Sequence, residues 1–185
     1  MSSQRHLICS QAPRSRFPYH LAVIELVHWS DGDLAIAARF LSDPRMMAHL
    51  GGVQTADEIA QAHHRWTRAA ASGVGEMFKI VAEGEVVGTI GYSEKGWREQ
   101  LIYETGWSVF PEHQGRGYAL QATLAIIERA RAALKRRWLH AFPRVENEAS
   151  NAICRKVGFT LLGPVEFEYP PGNFELSNDW QLKLY

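Results

Sequence analysis

The stretch Trp107-Ser108-Val109-Phe110-Pro111-Glu112-His113-Gln114-Gly115-Arg116-Gly117-Tyr118-Ala119 decides the reading of this chain. It runs as a strand, a glycine-rich turn and a helix start in immediate succession. Gly115 and Gly117, one residue apart, let the backbone turn sharply with several amides facing one point, where the dipole of the following helix adds partial positive charge. A pyrophosphate fits such a cradle. A Walker loop would need Lys and then Ser or Thr directly after the second glycine, where Tyr118 and Ala119 stand. A dinucleotide fingerprint would need a third Gly or Ala at Leu120 and an acidic residue about 20 residues on, and it normally opens a βαβ unit. Both alternatives fail.

Working outward, Leu101 to Phe110 reads as the strand that enters the cradle. Before it, β-rich runs at Glu76 to Ala82 and Glu85 to Tyr92 flank Glu83-Gly84, a tight hairpin signal, so the middle of the chain is an antiparallel meander. Upstream, Thr55-x-x-Glu58 is a capping box, and Ile59, Ala62, Trp66 and Ala69 recur at helical spacing up to Ser72-Gly73. Ser30 or Asp31 caps an earlier helix through about Leu41, interrupted at Asp43-Pro44. A first strand is expected at about Leu21 to Val27, after an irregular tail over residues 1–19. Downstream, Leu120, Leu124, Ile127 and Leu134 suggest an apolar helix stripe, with Lys135-Arg136-Arg137 at its carboxyl end. A strand at Trp138 to Phe142, a helix at about Ser150 to Val157 stopping at Gly158, and strands at about Phe159 to Tyr169 and Phe174 to Leu184 complete the chain. The order predicts an α/β (α+β) fold: a mixed, largely antiparallel central sheet of about seven strands flanked by about four helices.

Composition narrows the function classes. The chain has 185 residues, consistent with a single domain over 1–185, and 46% are apolar. The 20 basic and 20 acidic residues balance, so no net field favours nucleic acid or an anionic membrane. No amino-terminal apolar region and no apolar run of about 18 residues is present, which leads us to expect a soluble, cytoplasmic protein. Cys9 and Cys154 lack metal-ligand spacing and read as free thiols in a reducing compartment.

Gln114-Gly115-Arg116-Gly117-Tyr118-Ala119 conforms to Gln-x-x-Gly-x-Ala, and Val-x-Pro-Glu precedes it at Val109 to Glu112. Further on, Asn147-Glu148-Ala149-Ser150 is followed by Lys156-Val157-Gly158-Phe159. Together, in this order, the motifs resemble the GNAT N-acetyltransferase superfamily, most closely its Rim-type branch, with the resemblance firm from about Phe78 to Phe159. It implies acetyl-CoA as donor and a primary amine, on a small molecule or a protein N-terminus, as acceptor. It also implies that backbone groups of Trp107, Ser108 and Val109 meet the pantetheine amides, that Gln114 to Ala119 take the pyrophosphate with Arg116 beside it, and that Asn147 lies near the pantetheine arm. A loop asparagine satisfying local backbone is the other reading of Asn147.

Acetyl transfer from a thioester to a largely protonated amine requires a proton acceptor and a proton donor for the leaving thiolate. Rim-type relatives often carry a glutamate where Glu104 stands, three residues before Trp107, which makes it the candidate general base, directly or through a water. A solvent-facing or arginine-paired carboxylate is the alternative. Many family members have a tyrosine acid at the position of Cys154, and others a serine at the position of Ser150. Ser150 is favoured over Cys154, although Ser is also a common helix cap and a small buried Cys a common core residue. His63 and His64 read as a solvated or acceptor-lining pair, and His113 as a packing or solvent-exposed residue. Trp29, Trp66, Trp97 and Trp107 read as core or acceptor-pocket residues. A non-catalytic acyl-CoA-binding or sensing module would keep the cradle without the proton-handling groups. A homodimer through the carboxyl-terminal strands is the oligomeric form the resemblance implies, with an ordinary edge strand as the alternative.

Overall fold

In a computed structural model, residues 23–185 are described; the expected tail at residues 1–19, the first two residues of the expected first strand, and Cys9 lie outside the described residues. Among the described residues seven strands form one sheet: β1 (Ile24–His28), β2 (Gly75–Ala82), β3 (Glu85–Trp97), β4 (Gln100–Val109), β5 (Trp138–Ala141), β6 (Thr160–Glu168) and β7 (Phe174–Lys183). Their spatial order is β1-β2-β3-β4-β5-β7-β6, and every neighbouring pair is antiparallel except β4 with β5. The helices are α1 (Leu34–Leu41), a single turn α2 (Pro44–Met47), α3 (Ala56–Ser72), α4 (Tyr118–Ala133) and α5 (Glu148–Lys156). The mixed, mostly antiparallel seven-stranded sheet expected from the chain is the one it forms. No helix among the described residues is long and apolar enough to cross a membrane.

Period-two alternation along the strands splits the apolar residues between two cores. Phe78, Ile80, Ile90, Tyr92, Tyr103 and Leu139 pack against α4 and α5, whereas Trp29, Met77, Val86 and Phe110 pack against α1 and α3. The first turn of α3 is closed by the expected capping box, in which Thr55 N–H and Oγ1 both donate to Glu58 and Glu58 N–H donates back to Thr55 Oγ1. Gly73, left-handed at φ 70°, ends that helix.

Several expected details change. In α4 the buried face is Tyr118, Ala122, Ile126 and Ala130 with Thr123 and Ile127 beside it, while Leu124 and Leu134 of the expected stripe are exposed. Small alanines let this helix lie close to the sheet, and Leu134 caps it at φ 51°. Helix α5 begins two residues before Ser150, because Asn147 rather than Ser150 is its cap. The segment Phe174–Lys183 is not an edge strand: β7 is paired on both sides and β6 forms the edge. Finally, β3 runs five residues beyond Tyr92 to Trp97 and returns into β4 through Arg98-Glu99, both left-handed at φ 44° and 64°.

Strands β3 and β4 approach closely at Gly88, where a β-carbon would collide with the Ser108 carbonyl oxygen. Gly88→Ala is therefore expected to lose about 1–3 kcal/mol in urea unfolding through forced strand separation. Gly96→Ala on the same strand, where a methyl meets open space, is expected to be neutral or to gain roughly 0.5 kcal/mol by restricting the unfolded chain.

Candidate active site

Two features of the backbone define the site. The first is the parting of β4 from β5, whose parallel ladder contains only the pairs Tyr103↔Leu139 and Glu104↔His140. On its other side β4 is paired with β3 along its whole length, from Gln100 to Val109. Beyond Glu104 the side of β4 that faces β5 has no strand partner among the described residues, which leaves an edge where an extended ligand can supply backbone hydrogen bonds. Trp107, Ser108 and Val109 lie on this stretch of β4.

The second feature is the turn after β4. Gly115 and Gly117 adopt φ 76° and 82°, and Gly117 caps α4, so the free amides of that helix's first turn point out of the cradle. The position of a Gly115 β-carbon is open space. Gln114 Nε2 donates to the Val109 carbonyl at 3.0 Å and ties the cradle to the strand, while Arg116 is exposed and reaches back to the Glu112 carbonyl at 3.4 Å. Within the first turn of α4, Gln121 Nε2 is buried and has no hydrogen-bond partner among the described residues. The left-handed glycines and the exposed amino-terminal turn of α4 fit a ligand carrying anionic oxygens. Tyr118 and Ala119 lie under the cradle, Tyr118 buried in the α4 core.

Glu104 is the last β4 residue paired before the strands part. Its neighbour Tyr103 faces α4, so the Glu104 side chain points to the opposite face of the sheet. There its carboxylate meets Lys95 Nζ at 3.2 Å. The partner is a lysine, not the arginine that the alternative reading had in view. The side chain keeps 24% of its surface open, yet it is recessed among neighbours. Burial pushes its carboxyl above the usual range, against the pull of the Lys95 ammonium. Tyr169, just beyond β6, lies in the field of Glu104 and of Arg65 from α3; burial is the main cause that pushes its hydroxyl up, and Glu104 adds to it.

Beside Glu104 stands a buried polar network that the chain's motifs did not reveal. His140, the register partner of Glu104, places Nδ1 2.7 Å from Asp179 Oδ1 and Nε2 3.1 Å from Gln181 Nε2. Asp179 also accepts from Trp97 Nε1 at 3.0 Å, with Arg98 3.8 Å away. Trp97, Phe142 and Phe167 form an aromatic cluster, and Lys95 Nζ sits 4.5 Å above the Phe167 ring. These residues come from β3, β5, β7, β6 and the loop after β5, so no local pattern could have grouped them.

The remaining candidates separate clearly. Asn147 Oδ1 accepts from Ser150 N–H at 3.0 Å, which makes it the cap of α5. Ser150 is half-buried in the first turn. Cys154 is fully buried in the α4 core, and burial pushes its thiol up to about 12. Trp29 donates to His63 Nδ1 at 3.0 Å and packs with Trp66 in the other core, which assigns both tryptophans and His63 to structure. His64 lines a shallow groove of about 430 Å³ with Gln61 and Arg65. His113 lines a second groove, of about 480 Å³, with Arg39, Glu85 and Glu112.

Two consequences can be measured. Asp179→Ala leaves the buried donors of Trp97 and His140 unpaired and is expected to cost about 1–3 kcal/mol for each in chemical unfolding. Lys95→Met removes the cation that favours ionised Glu104, so the carboxyl is expected to titrate at higher pH than in the unaltered chain. Carboxyl-carbon NMR across a pH series checks the sign, and an unchanged or lower midpoint would contradict it.

Comparison with known proteins agrees with this geometry. An acetyltransferase (GNAT) domain model matches residues 24–160. An uncharacterized N-acetyltransferase YoaA of Bacillus subtilis (strain 168) is 31% identical over 79 residues, 43% of this chain; the match spans 44% of that relative's length. Among solved structures, the ribosomal L7/L12 alpha-N-protein acetyltransferase RimL in complex with coenzyme A is similar with a TM-score of 0.71 and 20% identity, over 86% of this chain and 93% of that one. Spermidine N-acetyltransferase from Vibrio cholerae, in complex with CoA and spermine, also has a TM-score of 0.71, at 16% identity, over 87% of this chain and 95% of that one. With its motifs, its parted strands and a family model covering most of its length, the chain belongs to the GNAT acetyltransferase family.

Proposed function

We propose that the protein transfers an acetyl group from acetyl-CoA to a primary amine by direct attack within a ternary complex. The observation that carries this reading is the placement of a recessed carboxylate, Glu104, at the mouth of the gap between β4 and β5, on the same strand that leads into the amide cradle. Five residues at roughly 3.3 Å rise separate Glu104 from Val109 by ~17 Å, so the cradle and the carboxylate stand at the two ends of one open edge. The cradle amides and Arg116 would hold the pyrophosphate, and the free edge of Trp107, Ser108 and Val109 would pair with the pantetheine amides. Asn147, with its Oδ1 committed to Ser150, would present its Nδ2 to the same arm.

Glu104 then takes a proton from the acceptor ammonium, directly or through one water. Burial raises its affinity for protons above that of a solvated carboxylate, which strengthens it as a base. The freed amine nitrogen bonds to the thioester carbonyl carbon, and the carbon–sulfur bond breaks. Ser150, at the amino-terminal turn of α5, is the donor we assign to the leaving thiolate; the enclosed Cys154 is the weaker candidate because burial disfavours its exchange of protons. A protein N-terminus and a polyamine, the acceptors of the solved relatives, are both amines of the kind this site would take. A homodimer through the carboxyl-terminal strands, over Phe174 to Tyr185, remains our expectation for the assembly, and Phe174 and Leu176 of that stretch are exposed.

Calorimetry with acetyl-CoA is expected to show one site, lost in Gly117→Glu, where a bulky anion would occupy a left-handed position of the cradle. Glu104→Gln is expected to bind acetyl-CoA unchanged while amine-dependent CoA release falls about 100-fold or more. Absence of binding by the unaltered protein would overturn the reading. Binding with no turnover on any amine would favour an acyl-CoA-binding module.

A further inference from the structure

We propose that Lys95 is itself an acetyl acceptor, so that the chain acetylates its own Lys95 side chain when no external amine is present. The inference rests on the acetyl-transfer reading above. Lys95 lies on β3 two residues from Ser93, the register partner of Glu104, and alternation puts all three side chains on one face of the sheet. Its Nζ is 3.2 Å from Glu104 Oε2 and 4.5 Å above the Phe167 ring. Both side chains reach the surface, with 32% of Lys95 and 24% of Glu104 exposed. An alkylammonium therefore already rests on the carboxylate that an incoming acceptor amine would use, beside the gap where β4 and β5 part.

This arrangement is not shared by Lys79, which is held at 2.8 Å by the buried Asp33, or by Lys135, whose ammonium donates to the Gly73 carbonyl at 2.9 Å. Tethering replaces a bimolecular encounter with an intramolecular one, an advantage that grows as the reacting atoms are pre-positioned. In the step, Glu104 takes one proton from the Lys95 ammonium and later releases it to solvent. The neutral Nζ bonds to the thioester carbonyl carbon, the carbon–sulfur bond breaks, and the second nitrogen proton passes to the thiolate, so that CoA leaves as the thiol. No oxidant or further reactant is needed. The amide product carries no charge, so Glu104 loses the cation that opposes its burial. With its one basic nitrogen converted to an amide, the modified lysine cannot react again, so the reaction stops at one acetyl group.

The full chain incubated with acetyl-CoA alone, followed by intact-mass and peptide-mapping mass spectrometry, tests the proposal. We expect a gain of one acetyl group at Lys95 with a first-order rate independent of protein concentration. The gain should be absent in Lys95→Arg and Gly117→Glu, and slowed about 100-fold or more in Glu104→Gln. Equal occupancy at the exposed Lys156 and Lys183 would signify spontaneous chemistry and overturn the proposal. An unmodified Lys95 in protein that binds acetyl-CoA and acetylates an added amine would overturn this inference alone, whereas failure to bind acetyl-CoA would overturn it together with the reading it rests on.

Discussion

A strand that gives up its neighbour halfway along governs this molecule. Strand β4 is held along its full length by β3 but by only two residue pairs to β5, Tyr103↔Leu139 and Glu104↔His140. Backbone amides and carbonyls left without a partner are unfavourable unless water or a ligand supplies one, and an open strand edge is the natural place for an extended amide-bearing arm. The cradle follows directly from the same strand through Phe110, so its position relative to the open edge is set by covalent connection. Tertiary adjustment has little to do there.

The two cores keep that gap in place from opposite sides. On one face, the small residues Ala122 and Ala130 bring α4 down onto Phe78, Ile90 and Tyr103; on the other, α1 and α3 enclose Trp29, Met77 and Phe110. Phe110 is instructive, because it lies between strand and cradle and anchors their junction in the second core while Tyr118 anchors the helix start in the first. The glycine turn is thereby clamped on both flanks. Its left-handed residues hold their conformation without side chains of their own to pack.

Electrostatics at the site is a contest between burial and one cation. Recessing Glu104 disfavours its charge, and Lys95 returns part of that stability to the carboxylate. Beneath this pair the His140–Asp179–Trp97 network supplies buried hydrogen bonds that tie β5 and β7 to the β3 hairpin end. The polar atoms there are matched with one another, as buried groups must be.

The local chemistry of the chain was enough for the cradle, because two closely spaced glycines before a helix have few physical uses, and for the capping box at Thr55, the hairpin at Glu83-Gly84 and the succession of strands along the chain. Each of these depends on residues within a few positions of one another. Weighting leucines over alanines misplaced the buried face of α4, since close packing against a sheet favours small side chains that carry a weak hydrophobic signal. The meeting of Lys95 with Glu104 was illegible for another reason: the hairpin joining them turns through Arg98-Glu99, which carries none of the usual turn residues, so neither the five-residue extension of β3 nor the register that follows from it could be read. His140 and Asp179 lie 39 positions apart, and only the insertion of β7 between β5 and β6 brings them together. Local sequence thus determined the backbone motif that would bind the donor, whereas the electrostatic surroundings of Glu104 were decided by strand order and register, which depend on the packing of the whole sheet.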